Sequence, residues 1–249
     1  MIDLHTHLDL YPDSLNILER VNKENHFTLA VTTSPKAWLA TSHVFKEYNN
    51  IMVALGLHPE VADRKFDELD LLLSLIHKAV FIGEVGIDGS ARYSNTFEKQ
   101  KIIFDSTLCE CEKVGGRVIS IHSRAAVPTV LSIIRKYPNC GTPILHWFSG
   151  TITELREAIG LGCYFSVNSQ MLKSKKGKDL VSRIPLELLL PESDGPFANV
   201  NGKPIMPWEA INVCQEIEIL WDKNADNVKN IFLSNLETIL SIKKEYNYK

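Results

Sequence analysis

Two imidazoles stand on alternate positions of the first apolar run, His5 and His7 in MIDLHTHLDL. Alternate residues of a strand share a face, so both rings aim at one point and offer a pair of nitrogen donors suited to a metal ion. On its own, His-x-His fits two polar residues near a strand end equally well. Its weight comes from where the other ligand-type residues fall. Glu84 ends an apolar run in FIGEVGID, His122 ends one in VISIHSR, His146 ends one in PILHWFSG, and Asp194 follows another in LLLPESDGP. One strand-end histidine is ordinary packing, but the same placement on five strands points to one shared cavity. Four imidazoles and two carboxylates meeting there could hold divalent cations and activate water for hydrolysis.

Only a scaffold that gathers the ends of many strands can assemble such a set. Short β-rich runs cover Ile2 to His7, Phe27 to Thr33, Ile51 to Gly56, Val80 to Glu84, Arg117 to His122, Pro143 to His146, Cys163 to Val167 and Leu186 to Leu190. Helical patterns lie between them, including Ser14 to Glu24, Asp67 to His77, Thr96 to Val114, Val127 to Lys136 and Ile152 to Ile159. Eight strands alternating with helices over this length predict a (β/α)8 TIM barrel, whose strands deliver their C-terminal ends to one mouth. Two last helices, Pro207 to Trp221 and Asn227 to Lys244, would complete and cap it. No glycine-rich phosphate loop follows the first strand, which argues against an open doubly wound sheet. No linker or repeat divides the chain, so residues 1–249 read as a single domain.

With 45% apolar and 23% charged residues, the composition is that of an ordinary globular protein. A net charge of -3 disfavours broad coating of nucleic acid, though not a local basic pocket gripping a few phosphates. The five cysteines, Cys109, Cys111, Cys140, Cys163 and Cys214, contain no Cys-x-x-Cys pair. Neither a disulfide framework nor a zinc ribbon is expected, and a reducing cytoplasmic location fits best. The N-terminus carries no signal-peptide pattern and no apolar run is long enough to span a bilayer, so no membrane association is expected.

The segments DLHTHLD, ALGLHPE, FIGEVGID, EKQKIIFDSTL, ISIHSRAA, LHWFSG and PESDGP resemble, in order and spacing, the signature segments of the TatD family of metal-dependent DNases. The resemblance covers essentially the whole chain. It implies a TIM-barrel hydrolase of DNA phosphodiester bonds with two divalent ions, Mg, Mn or Zn, held by His5, His7, Glu84, His122, His146 and Asp194. Glu84 and Asp194 would be the catalytic carboxylates. Glu84 would bridge the ions, His5, His7 and Asp194 would surround one of them, and His122 and His146 the other. The chain is also similar to TatD-like proteins of Qat-type antiphage defence systems, which would imply protein partners within a complex. It departs from the family where GIDGSARYSN places small residues before Arg92 and Tyr93, where HSRAA replaces HSRDA, and where ESD replaces ETD.

Further residues bear on the substrate. His58 ends the third strand run and faces the same mouth, and Arg124 offers a fork of donors suited to phosphate. Both are candidate substrate-binding residues. Lys173 to Lys178, in the loop after strand seven, could meet a nucleic-acid backbone, and Trp147 and Phe148 could stack on a terminal base. His26, His43 and His77 lie away from the mouth, and Cys109 and Cys111 point to different helix faces. The expected substrate is DNA, as a single strand or a strand end, cut exonucleolytically because a mouth with few basic residues suits a terminus. Alternatives are a metal-dependent ester or amide hydrolase, such as an aminoacyl-tRNA deacylase, and a metal-binding nucleic-acid-recognition subunit of a defence complex. PHP-class phosphoesterases also open with His-x-His, but their three-metal sites need more histidine and acid ligands than this mouth offers.

Overall fold

In the computed structural model, which describes residues 1–245, eight parallel strands run around a closed cylinder. They are β1 (Ile2–Thr6), β2 (Phe27–Val31), β3 (Ile51–Ala54), β4 (Phe81–Gly86), β5 (Arg117–His122), β6 (Gly141–His146), β7 (Tyr164–Val167) and β8 (Leu189–Pro191). Hydrogen bonding groups them as β1-β2-β3 and β4-β5-β6-β7-β8. Two seams complete the circuit. At the first, Leu55 bridges to Ile82, its amide donating to the Phe81 carbonyl at 2.9 Å while the Gly83 amide donates to the Leu55 carbonyl at 2.8 Å. At the second, just beyond β8, the Asp194 amide donates to the His5 carbonyl and the His7 amide to the Gly195 carbonyl, both at 2.8 Å. The architecture is therefore the (β/α)8 barrel that the strand–helix alternation predicts.

The helices are α1 (Ser14–Glu24), α2 (Pro35–Phe45), α3 (Ala62–Lys65), α4 (Leu69–Leu75), α5 (Phe97–Val114), α6 (Val127–Lys136), α7 (Ile152–Gly160), α8 (Lys175–Val181), α9 (Val213–Trp221) and α10 (Ala225–Glu245). A small hairpin, β9 (Asn199–Val200) with β10 (Lys203–Pro204), follows β8. In α6, Val127, Val130, Leu131 and Ile134 recur at helical spacing and are buried. Each such side chain contributes roughly 1.5–3 kcal/mol relative to exposure, which seats the helix on the barrel. α7 starts at a reciprocal cap in which Glu154 N–H donates to Thr151 Oγ1 at 3.2 Å and Thr151 N–H to the Glu154 carboxylate at 2.6 Å. From α10, Asn235 donates to the carbonyls of Leu186 and Leu189 at 2.8 and 2.7 Å, pinning the start of β8. Among the described residues no helix is long and apolar enough to cross a membrane.

Several boundaries differ from expectation. β4 continues past Glu84 to Gly86, so Glu84 lies inside the strand, next to a slip in the β4–β5 register between Ile82 and Val85. β2 stops at Val31, short of Thr33. Leu186 opens a 3-10 turn, and the eighth strand proper is Leu189–Pro191. The stretch from Pro207 divides into a 3-10 segment to Asn212 and then α9. Lys175 to Lys178 belong to α8 and not to a loop, because Ser174 Oγ accepts the Gly177 amide at 2.9 Å and caps a new helix.

All five cysteines are free thiols. Cys111, Cys140, Cys163 and Cys214 are buried, and burial pushes Cys140, Cys163 and Cys214 each up to about 12. Only Cys109 is partly exposed. Native thiol titration with Ellman's reagent is expected to release at most one equivalent per chain promptly, against five in denaturant.

Candidate metal centre

Glu84, 1% exposed, sits at the middle of the mouth with its two oxygens facing different sets of imidazoles. Oε2 lies 3.3 Å from His5 Nε2, 3.1 Å from His7 Nε2 and 3.0 Å from His58 Nε2. Oε1 lies 2.7 Å from His122 Nδ1 and 2.9 Å from His146 Nε2. Asp194 Oδ1 stands 3.7 Å from His5 Nε2 and 3.9 Å from His7 Nε2. Close strand packing permits this. A side chain at Gly56 would place its Cβ 2.0 Å from the Thr32 carbonyl and 2.6 Å from the Glu84 amide. Gly86, at φ 135°, lies so near β5 that a Cβ would sit 2.1 Å from the His122 carbonyl. Trp147, directly after β6, and Asp194, three residues past β8, adopt left-handed backbone conformations, φ 38° and 47°. Such strain, of order 1–3 kcal/mol each, is retained where side chains must be aimed.

The outer nitrogen of each ring decides what its inner nitrogen can do. His122 stands between two carboxylates, Nε2 3.0 Å from Asp88 Oδ2 and Nδ1 2.7 Å from Glu84 Oε1; a proton kept on Nε2 for Asp88 would leave the Nδ1 lone pair for a cation at the centre. His146 turns Nδ1 toward Glu192, 3.8 Å away, and Nε2 inward. His5 Nδ1 meets Ser120 Oγ at 2.7 Å and leaves Nε2 inward. His58 is the opposite case. Its Nδ1 accepts the Glu60 amide at 3.1 Å, so the neutral ring carries its proton on Nε2 and donates toward Glu84.

The donor set suits cations. Three clusters have ligand atoms mutually within 4.8 Å: His5, His7 and Glu84; His5, His146 and Glu192; and His58, Glu84 and His122. His5 Nε2 and His146 Nδ1 are buried without a hydrogen-bond partner. Yet His5 Nε2 and Glu84 Oε2 are 3.3 Å apart, close to the roughly 3.4 Å separating two ligands that sit about 2.1 Å from one tetrahedral ion. That spacing fits a cation held between the two atoms.

Electrostatics divides the group. Burial pushes His5 well below the usual imidazole range and lowers His58 as well. Burial acts the same way on His146 and His122, but Glu84 with Glu192 raises the first well above that range, and Asp88 with Glu84 raises the second. Burial would lift Glu84, but His58, His146 and His5 hold its carboxyl well below the carboxylate range, whereas burial lifts Asp194 to about 7.

Residues 2–241 match the family model described as TatD related DNase. The chain belongs to the TatD-related DNase family. It is 26% identical over 255 residues to the uncharacterized metal-dependent hydrolase YjjV of Escherichia coli (strain K12), covering 97% of this chain and 98% of YjjV. It is also 26% identical over 215 residues to deoxyribonuclease TATDN3 of Homo sapiens, covering 79% of this chain and 78% of that protein. The crystal structure of YjjV superposes with a TM-score of 0.85 at 24% identity, covering 96% of this chain and 97% of YjjV, and so shares the fold.

In this TatD-related barrel the mouth is a cavity of about 530 Å³, lined among others by His7, His58, Glu84, His122, Arg124, His146, Trp147, Asp194 and Phe197. Arg124 sits on its exposed rim. Trp147 lines it, but Phe148 does not: it is 1% exposed and packs edge-on against Phe165 in the core, so it is no stacking residue. Tyr93 donates to Glu60 at 2.5 Å, and Arg92 stacks over the Tyr93 ring. His26 meets the N-terminal amine at 3.1 Å, far from the metal residues.

Sequence reasoning missed the residues that orient the ligands. Only Ser120, two positions before His122 on β5, could have been flagged by the two-residue strand period; Asp88 and Glu192 lie just past the ends of β4 and β8. Asp88 is itself fixed: its amide donates to Gln100 Oε1 of α5 at 2.7 Å. Against the effect of burial, hydrogen bonds from His122 and Ser90 bring its carboxyl down to about 2. Asp88→Ala is expected to lower metal affinity or hydrolysis about 10- to 100-fold by freeing the His122 ring, and Asp88→Asn to lower it less, because the amide oxygen still accepts from Nε2. Isothermal titration with metal and steady-state kinetics would check both.

Proposed function

We propose that this TatD-related protein is a metal-dependent deoxyribonuclease that hydrolyses DNA phosphodiester bonds with two divalent cations, Mg, Mn or Zn, removing nucleotides from a strand end. The observation that carries the reading is the division of Glu84, with Oε2 turned to His5 and His7 and Oε1 turned to His122 and His146. A carboxylate so placed can serve two ions at once. His5, His7 and Asp194 would hold one, His122 and His146 the other, with Glu84 shared. Divalent cations there would supply Lewis acidity to a phosphoryl oxygen and make a nucleophilic water more acidic. Asp194, beside the His5 and His7 nitrogens, is placed to accept the proton of that water. Arg124 on the rim is a donor for non-bridging phosphate oxygens, and the His58 Nε2–H would serve one by turning from Glu84. The cavity volume, about 530 Å³, accommodates a terminal nucleotide and not a duplex passing through.

The test is hydrolysis of end-labelled single-stranded DNA by metal-stripped protein after adding back Mg, Mn or Zn, with His5→Ala as control. Metal-dependent shortening from one end, lost in the control, is the expected result. A protein that binds two metals per chain and leaves DNA intact under every ion would overturn the nuclease reading and favour an ester or amide substrate.

A further inference from the structure

We infer, resting on the nuclease reading above, that a single DNA strand lies across the β5–β8 side of the mouth, with Phe197 stacking on a nucleobase and Lys176 and Lys173 holding the backbone. Phe197 is 59% exposed, an unusual state for so large an apolar ring, and it lines the same cavity as Glu84. It is held firmly all the same. Its amide donates to the Asp194 carbonyl at 2.9 Å, and its ring meets His7 edge to face, with centroids 5.0 Å apart at 83°. A rigid open aromatic face one turn beyond Asp194 is what a base beside the scissile phosphate needs, and stacking tolerates any base.

The charge around the mouth is polarised. Lys176 Nζ donates to the carbonyl of Ser149, a cavity-lining residue, at 2.6 Å, and Lys173 Nζ reaches the carbonyl of Asn199, two residues past Phe197, at 3.5 Å. An ammonium has three donors, so each lysine keeps others for phosphate oxygens. Of the acids on the facing side, Glu60 lines the cavity, while Asp88 is fully buried behind His122. A polyanion is thereby directed onto the basic side, while the net charge of -3 keeps the rest of the surface unattractive to it.

The test is fluorescence anisotropy of a short labelled oligothymidylate with chelator present, alongside hydrolysis of bis(p-nitrophenyl) phosphate with metal. Variants are Phe197→Ala, Phe197→Trp and Lys173→Glu/Lys176→Glu, with Lys23→Glu, in the last turn of α1 at the other end of the barrel, as charge control. Phe197→Ala is expected to weaken oligonucleotide binding roughly 5- to 100-fold and Phe197→Trp to retain it. The double lysine variant should flatten the salt dependence of log K by about 1 to 2, with losses on DNA exceeding any change on the small diester. Wild-type binding by both the Phe197→Ala and the lysine variants overturns the inference. So does equal damage by Phe197→Ala and Phe197→Trp with a matching loss on the diester, since the ring would then only prop His7. A wild-type protein that cleaves the diester without binding the oligonucleotide overturns the strand path and spares the phosphodiesterase reading; one that does neither overturns both.

Discussion

Glu84→Gln is expected to lower kcat/KM for phosphodiester hydrolysis by at least about 10³-fold, roughly 4 kcal/mol of barrier. The substitution keeps the side chain's shape, replaces one acceptor oxygen by an NH2 donor, and removes the charge. At this position both oxygens matter, because His5 and His7 face one and His122 and His146 the other. Whichever way the amide turns, one set of imidazoles loses its shared anionic partner and meets a donor. Metal content per chain, measured after dialysis, should therefore fall together with activity, while the far-UV circular dichroism stays that of the wild type. Asp194→Asn provides the contrast: its oxygen stands farther from the same nitrogens, 3.7 and 3.9 Å, so hydrolysis should fall more than metal content. Full metal content together with full activity in Glu84→Gln would sink the two-cation assignment.

How much of this was legible in the sequence follows from which signals are local. The bounds of α1 and α6 agree with their apolar periodicity, and the alternation in LHTH correctly puts His5 and His7 on one face. β8 starts later than expected because Leu186 to Pro191 is apolar but for Glu187, and in so short a run a 3-10 turn and a buried strand look alike. The helix that holds His43, between β2 and β3, was legible without its bounds, which Ser34 accepting the Ala37 amide and Pro35 at the first turn set at the start of α2. Trp147 and Phe148 could not be separated by type; the left-handed turn at Trp147 sends neighbouring rings to opposite environments. The gathering of His5, His7, Glu84, His122, His146 and Asp194 at one mouth was legible because a barrel brings strand ends together. The orienting groups, Asp88 for His122 and Glu192 for His146, became evident only with ring orientation, which no spacing encodes. Phe197 left no signal at all, since an aromatic after a turn is ordinary until its exposure is known.

Asp3→Ala is expected to destabilise the metal-free protein by about 2–4 kcal/mol, lowering its Tm by roughly 4–16 °C for a chain of this size. Asp3 is fully buried on β1 and makes three hydrogen bonds. Its Oδ1 accepts the amides of Ser193 and His5 at 3.0 and 3.1 Å, and its Oδ2 accepts the Ser193 hydroxyl at 2.6 Å. Burial pushes its carboxyl well above the usual range in spite of these donors, so the wild type bears a desolvation cost that the variant escapes. The larger effect is opposite: three buried donors lose their acceptor, and they lie on the seam where β1 closes against the segment following β8. That seam also carries His5 and Asp194, so its loosening should separate ligands contributed by the first and last strands and weaken metal binding as well. Asp3→Asn should cost less than half as much, because its amide oxygen still accepts both backbone N–H groups and its NH2 can donate to a rotated Ser193 hydroxyl. Urea unfolding in chelator is the appropriate measurement, since bound metal would stabilise the folded state by mass action and mask the difference. Equal midpoints for Asp3→Ala and wild type would mean the seam is held by the backbone bonds from Asp194 and His7 alone.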